Sequence, residues 1–248
     1  MIPVEVLQRN ADLMNVIAAL GQILPKMARR GVPIDERVLR FKEEAWRVRL
    51  LETKENVFSQ AGIRFNFNSH GRWNEKTNVP ESSKPGKPAT VKQALYGKLG
   101  YKPVRTWDKE KRKMAVTSSA YALGRLYYEN NHEILRFWGL YNRLRHRKSN
   151  FIDKFLLFEP CTCKEDKRFD CEKCAGSGFG KVLGPNPRYI TVEQDSWYTH
   201  PVVMMLAVTG RPICLDPNLN QWPRNNRTWD IDCRDVFVAP PGMLFSSC

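Results

Sequence analysis

Thr209-Gly210-Arg211, then Asp216-Pro217-Asn218-Leu219-Asn220-Gln221-Trp222-Pro223-Arg224-Asn225, then Arg234-Asp235-Val236-Phe237-Val238-Ala239-Pro240-Pro241-Gly242 decide the reading of this chain. The stretch is polar, broken by prolines, and carries arginines and amides at fixed offsets. A buried core strand has a different composition, because proline removes a ladder donor. Arg, Asn and Gln are the side chains that donate to phosphates, sugars and base edges. Proline and asparagine fix the loops that carry them.

The order T-G-R, D-P-N-L, two amides, P-x-N, R-x-x-F-x-A-P-x-G resembles the segment leading into motif A of the family A DNA polymerases, the DNA polymerase I family. Several elements in sequence make the likeness specific. Two departures stand out: Pro212-Ile213-Cys214 replaces the usual Leu-Ser-Ser, and Asn220-Gln221 reverses the usual amide order. The resemblance implies that Arg211 contacts the primer strand in the minor groove. Asn218, Asn220 and Gln221 would lie beside it, and Arg234 would brace the site. It also implies Mg2+ ions held on carboxylates in the completed polymerase, where they activate the primer hydroxyl and steady pyrophosphate. In the family the first such aspartate follows the A-P-x-G glycine closely. Counting from Gly242 places it past Cys248, with residues 236–248 expected as the palm strand that delivers it. No catalytic residue is therefore expected here, nor the fingers helix or the second aspartate motif.

The bulk composition agrees with a polyanionic partner. The chain has 248 residues, with Lys plus Arg at 40 against 26 for Asp plus Glu, a net charge of +14. Such an excess favours nucleic acid through counterion release. The longest apolar run, Val202 to Val208, is too short to span a membrane. The N-terminus lacks a signal-peptide pattern. Cysteines without export argue for thiols and metal in place of disulfides.

Along the chain, residues 1–30 read as a helix with Val6, Leu13, Ile17, Leu20 and Leu24 on one stripe. Gly31-Val32-Pro33-Ile34-Asp35 breaks it, and this turn resembles the start of the polymerase domain. Asp35 is the expected cap of a second helix with Val38, Phe41, Ala45, Val48 and Leu51 facing the core and Gly62 as its stop. Asn66-Phe67-Asn68-Ser69 resembles the N-x-x-S approach to the thumb. Residues 70–89 read as a flexible insertion. Thr90 and Gln93 form a capping-box pattern for a helix ending near Gly100. A charged connector, Lys109 to Lys113, follows. Thr117 or Ser118 caps the next helix, and Asn130-Asn131 separates it from another. That last helix ends in Arg143, Arg145, His146, Arg147 and Lys148, continuing to Lys154. The cluster exceeds what a helix dipole needs and points to phosphate contact. It resembles the thumb helix that grips the duplex.

Cys161-x-Cys163 and Cys171-x-x-Cys174, followed by Ala175-Gly176-Ser177-Gly178, supply soft thiolates for a tetrahedral, structural Zn2+ site. The glycines let backbone amides turn toward the sulfurs. The tail resembles a zinc knuckle of the DnaJ type and is not a usual part of the polymerase family. His132 and His200 read as ordinary hydrogen-bonders.

The expected fold is mainly α with a small β part (α+β). Residues 1–158 form a helical polymerase base and thumb, 159–182 the inserted four-cysteine zinc knuckle, and 183–248 the first part of an antiparallel palm. The expected function is an N-terminal fragment or subunit of a DNA-directed DNA polymerase that grips primer–template DNA in replication. A second polypeptide would supply the rest of the palm and the fingers. The chain alone would be inactive as a nucleotidyltransferase, with viral style and a cytoplasmic place at a nucleoid or viral replication site. The alternative is a stand-alone zinc-containing DNA-binding protein.

Overall fold

The computed structural model describes residues 31–110 and 112–204, together with 15, 18, 22, 25, 26, 28–30, 213, 214, 216, 217 and 234–239. The class is α+β, with helices beside small, mostly antiparallel sheets. Two compact units divide the chain: 1–43 with 151–157 and 183–248, and 44–150 with 158–182.

In the first unit, β-strand Val32–Ile34 pairs antiparallel with Ser196–Thr199, which pairs with Thr191–Glu193. The turn before Val32–Ile34 needs glycine. Gly31 has φ +74°, and a Cβ there would meet the His200 ring at 2.7 Å. His200 is held by a hydrogen bond to the Ala28 carbonyl at 3.0 Å, the ordinary role expected of it. The residues expected to start a palm strand at 236 do something different. Val236 is fully buried and closes a 3-10 turn, Arg234–Val236. Its carbonyl accepts the Asp35 N–H at 2.8 Å, which fixes it as a turn at the entrance of a helix. Phe237 then bridges Ile34, and the Val238 N–H donates to the Pro33 carbonyl. Residues 240–248 lie outside the described residues.

Helix α1 (Glu36–Ala61) starts where predicted, with Asp35 Oδ1 accepting the Val38 N–H at 3.0 Å. It stops at Gly62, φ +61°, whose N–H reaches the Phe58 carbonyl. The buried face differs from the predicted one. Leu39, Trp46, Leu50, Val57, Phe58 and Ala61 are buried, whereas Phe41 is 69% and Val48 42% exposed. Lys42, Glu43, Thr53 and Lys54 share the buried face. These polar residues dilute its apolar signal, so the neighbouring stripe reads more strongly in sequence.

The second unit is built on an aromatic cluster. Phe58 of α1 meets Phe65 edge-on at 5.4 Å, and Phe65 packs on Trp138 at 4.4 Å. Phe67 lies 4.6 Å from Phe65 and 4.2 Å from Tyr141. Trp138 and Tyr141 belong to the helix Glu133–Arg147, paired with the helix Ala120–Asn130 through an αL turn at Asn131. These are α3 and α2. The cap of α2 is Ser119, with Thr117 Oγ1 accepting the Ser119 N–H at 3.3 Å and Ser118 turned to His70 at 2.9 Å. Within 70–89 the short strands Trp73–Asn74 and Val79–Pro80 form a hairpin, and Trp73 packs edge-on against Tyr96. The capping box is formed: the Thr90 N–H donates to Gln93 Oε1 at 2.7 Å and the Gln93 N–H to Thr90 Oγ1 at 3.4 Å. The charged connector is the turn of a hairpin between Arg105–Asp108 and Lys113–Val116.

The corrected α1 face makes a prediction. Leu50→Ala should cost about 2–5 kcal/mol in urea unfolding, and Val48→Ala about 0.5 kcal/mol or less. Equal costs would restore the predicted stripe.

Candidate metal centre and nucleic-acid interface

The Cys161, Cys163, Cys171 and Cys174 sulfurs all lie within 4.8 Å of one another, with no His, Asp or Glu in the group. Cys161 and Cys171 are 3.8 Å apart, and Cys163 and Cys174 3.7 Å. Bonds of about 2.3 Å in a tetrahedron set sulfurs about 3.8 Å apart. A disulfide needs about 2.05 Å. The residues present therefore fit a closed, four-thiolate metal site.

Local backbone explains the approach. Ala175, Gly176 and Gly178 have φ of 51°, 86° and 83°. These left-handed residues turn the Gly176 and Gly178 N–H groups toward the Cys174 sulfur. The Cys174 and Lys173 N–H groups likewise serve Cys171. The thiols divide in acidity. Burial, then hydrogen bonds to the other three, pushes Cys163 up to about 12. Cys171 falls to about 7, burial opposing and backbone N–H donors prevailing.

The knuckle is joined to the aromatic core. The 3-10 helix Glu165–Asp170 packs against Phe65–Asn66. Arg64 pairs with Asp170 and with Glu55 at 2.9 Å, and its guanidinium lies 5.3 Å from the Phe58 ring centre. Tyr141, whose pKa burial raises, feels both Arg145 and Cys174. Strand Leu156–Pro160 leads into the knuckle and Phe179–Pro185 leads out, the two being paired. Phe158 and Phe179 stack at 4.9 Å across them.

The basic residues divide by environment. Arg143 and Arg145 are exposed and Arg147 half-buried at the end of α3. Arg145 donates to Asn68 Oδ1. Asn68 sits in the N-x-x-S turn, whose Ser69 N–H reaches the Asn66 carbonyl at 3.0 Å. The structure thus brings the predicted thumb turn and the predicted basic helix end together. Lys148 is 6% exposed, with its ammonium 5.7 Å from the Phe158 ring centre. A buried ammonium over an aromatic face gains cation–π attraction. Lys154 belongs to the first unit, where its carbonyl accepts from Asn186 at 2.8 Å. Arg211, Asn218, Asn220 and Gln221 lie outside the described residues, and only the backbone turn of Arg234 is described. Sequence reasoning missed Arg64, and it placed Asn68 in the thumb turn without its contact to Arg145. Arg64 follows the helix stop at Gly62, a position that carries no motif.

Among solved structures, the chain is similar to the POL domain of Pol1 from M. smegmatis in complex with DNA primer-template and dNTP. The superposition has a TM-score of 0.51 at 16% identity and covers 88% of this chain. The chain has a DNA polymerase-like fold. It spans 28% of that polymerase chain. No protein-family model matches the sequence, and no curated protein does. Among the described residues, no helix is long and apolar enough to cross a membrane.

The thiolate geometry predicts that protein purified without chelator carries about one metal ion per chain. Cys171→Ser should abolish it and lower the melting temperature. Retained metal in that variant, or unchanged melting after chelation, would contradict a four-thiolate structural site.

Proposed function

We propose that this chain is the thumb and first part of the palm of a family A DNA polymerase, and that it grips primer–template DNA in replication. The observation that carries the proposal is the similarity to a polymerase domain over 88% of the chain. The ordered T-G-R to A-P-x-G pattern of residues 209–242 supports it independently.

In this reading the end of α3 meets duplex phosphates through Arg143, Arg145 and Arg147, braced by the Asn68 turn. Lys154 and the loop residues Arg211, Asn218, Asn220, Gln221 and Arg234 add contacts along the duplex. The knuckle metal is Zn2+, because four thiolates at tetrahedral spacing suit it and leave no open position for catalysis. The carboxylates that hold catalytic Mg2+ belong to polypeptide beyond these residues, carrying the rest of the palm and the fingers. The split arrangement puts that polypeptide on a second chain. The working place is a nucleoid or a viral replication site.

Binding to primer–template duplex should fall steeply with salt. Changing Arg143, Arg145 and Arg147 together to Gln should reduce the log–log slope by roughly 2–3, because each lost phosphate contact removes about 0.9. Equal slopes would show that the helix end does not meet phosphate. The 248 residues alone should extend no primer. Adding polypeptide that carries the palm carboxylates should restore Mg2+-dependent extension, and robust extension without it would refute the split arrangement.

A further inference from the structure

Two buried cationic nitrogens in the second unit make no hydrogen bond. They are Lys54 Nζ, on α1, and Arg168 Nε, in the knuckle loop. Lys54 is 0% exposed, which is exceptional for a lysine, and its ammonium has only the Phe58 ring face, 6.0 Å to the ring centre, in place of a hydrogen bond. A buried charge is tolerated only when a compensating charge is near. The two carboxylates whose charge acts on Lys54, Glu55 and Asp170, are both paired with Arg64. Burial lowers the Lys54 pKa, while Glu55, Asp170 and Cys171 oppose that fall. Arg168 lies flat on Gly178: a Cβ there would stand 3.2 Å from its Cδ and Nε. Gly178 is the residue whose N–H serves Cys174. Lys54 thus lies over the same Phe58 ring as Arg64, which reaches Asp170 next to Cys171, and Arg168 lies against Gly178 beside Cys174: one cation approaches the knuckle from α1 and one from within it.

Zn2+ on four thiolates leaves two negative charges without compensation. We propose that Lys54 and Arg168 are the outer-sphere cations of the zinc centre, neutralising its excess charge and binding the knuckle electrostatically to α1. They are positioning residues and touch no metal. The inference rests on the zinc reading above and adds what fixes the metal's affinity and its coupling to the thumb. It also explains why this lysine is fully buried on the face that carries Trp46, Leu50, Val57 and Phe58.

The test uses the full chain as wild type, Lys54→Met and Arg168→Met, each with zinc and after chelation. Methionine keeps the aliphatic packing and removes the charge. Competition with a chromophoric chelator should show zinc affinity about tenfold or more weaker in each variant, the scale of outer-shell losses. The melting temperature should fall in the zinc-loaded variants, yet Lys54→Met should melt no lower than wild type after chelation, because the unpaired cation is gone. A packing role alone would lower both states equally. With Co2+ in place of zinc, the thiolate-to-metal charge-transfer band should shift to lower energy in the variants and return in Lys54→Arg. Wild type that binds zinc alongside variants of equal affinity and unshifted bands would overturn this inference and leave the zinc reading intact. Wild type that takes no zinc would overturn both.

Discussion

Packing among Phe58, Phe65, Phe67, Trp138 and Tyr141 is the constraint on which the second unit depends. Aromatic pairs at these distances add to burial with defined geometry. The cluster holds the end of α1 against α3 and so fixes where the basic end of α3 projects. Phe65 and Phe67 flank Asn66, and the same short segment supplies Asn68 to Arg145. Core packing and the candidate phosphate contact are therefore adjacent links of one chain.

The knuckle acts on this core from outside. Its sulfurs converge because left-handed residues after Cys174 aim amides inward, and its Asp170 reaches Arg64 beside Phe58. An exposed ion pair alone is worth little. A metal-closed loop that presents the pair in one geometry is worth more, because its ordering is completed when the metal binds.

Much of this was legible from residues. Asp35, Gly62, Thr90, Gln93 and Asn131 act through their own backbone chemistry, which sequence states directly. The four cysteines were legible for the same reason: spacing and softness define the site before any fold does. The buried face of α1 was not legible. Its register buries Lys42, Glu43 and Lys54, Lys42 against Asp235 far along the chain, and periodicity scores those residues as exposed. The burial of Lys148 over Phe158 was not legible either, because a lysine in a run of cations reads as exposed. Val236 is expected to open a palm strand by resemblance to the polymerase segment, but the Asp35 N–H claims its carbonyl and it closes a 3-10 turn.

Hydrogen exchange on the full chain, metal-loaded and after chelation, tests most directly whether the knuckle and the aromatic core form one unit. The account predicts that chelation deprotects amides in 161–178 and also, by at least tenfold, those around Phe58 of α1 and Tyr141 of α3. Faster exchange confined to 161–178, with both helices unchanged, would contradict it.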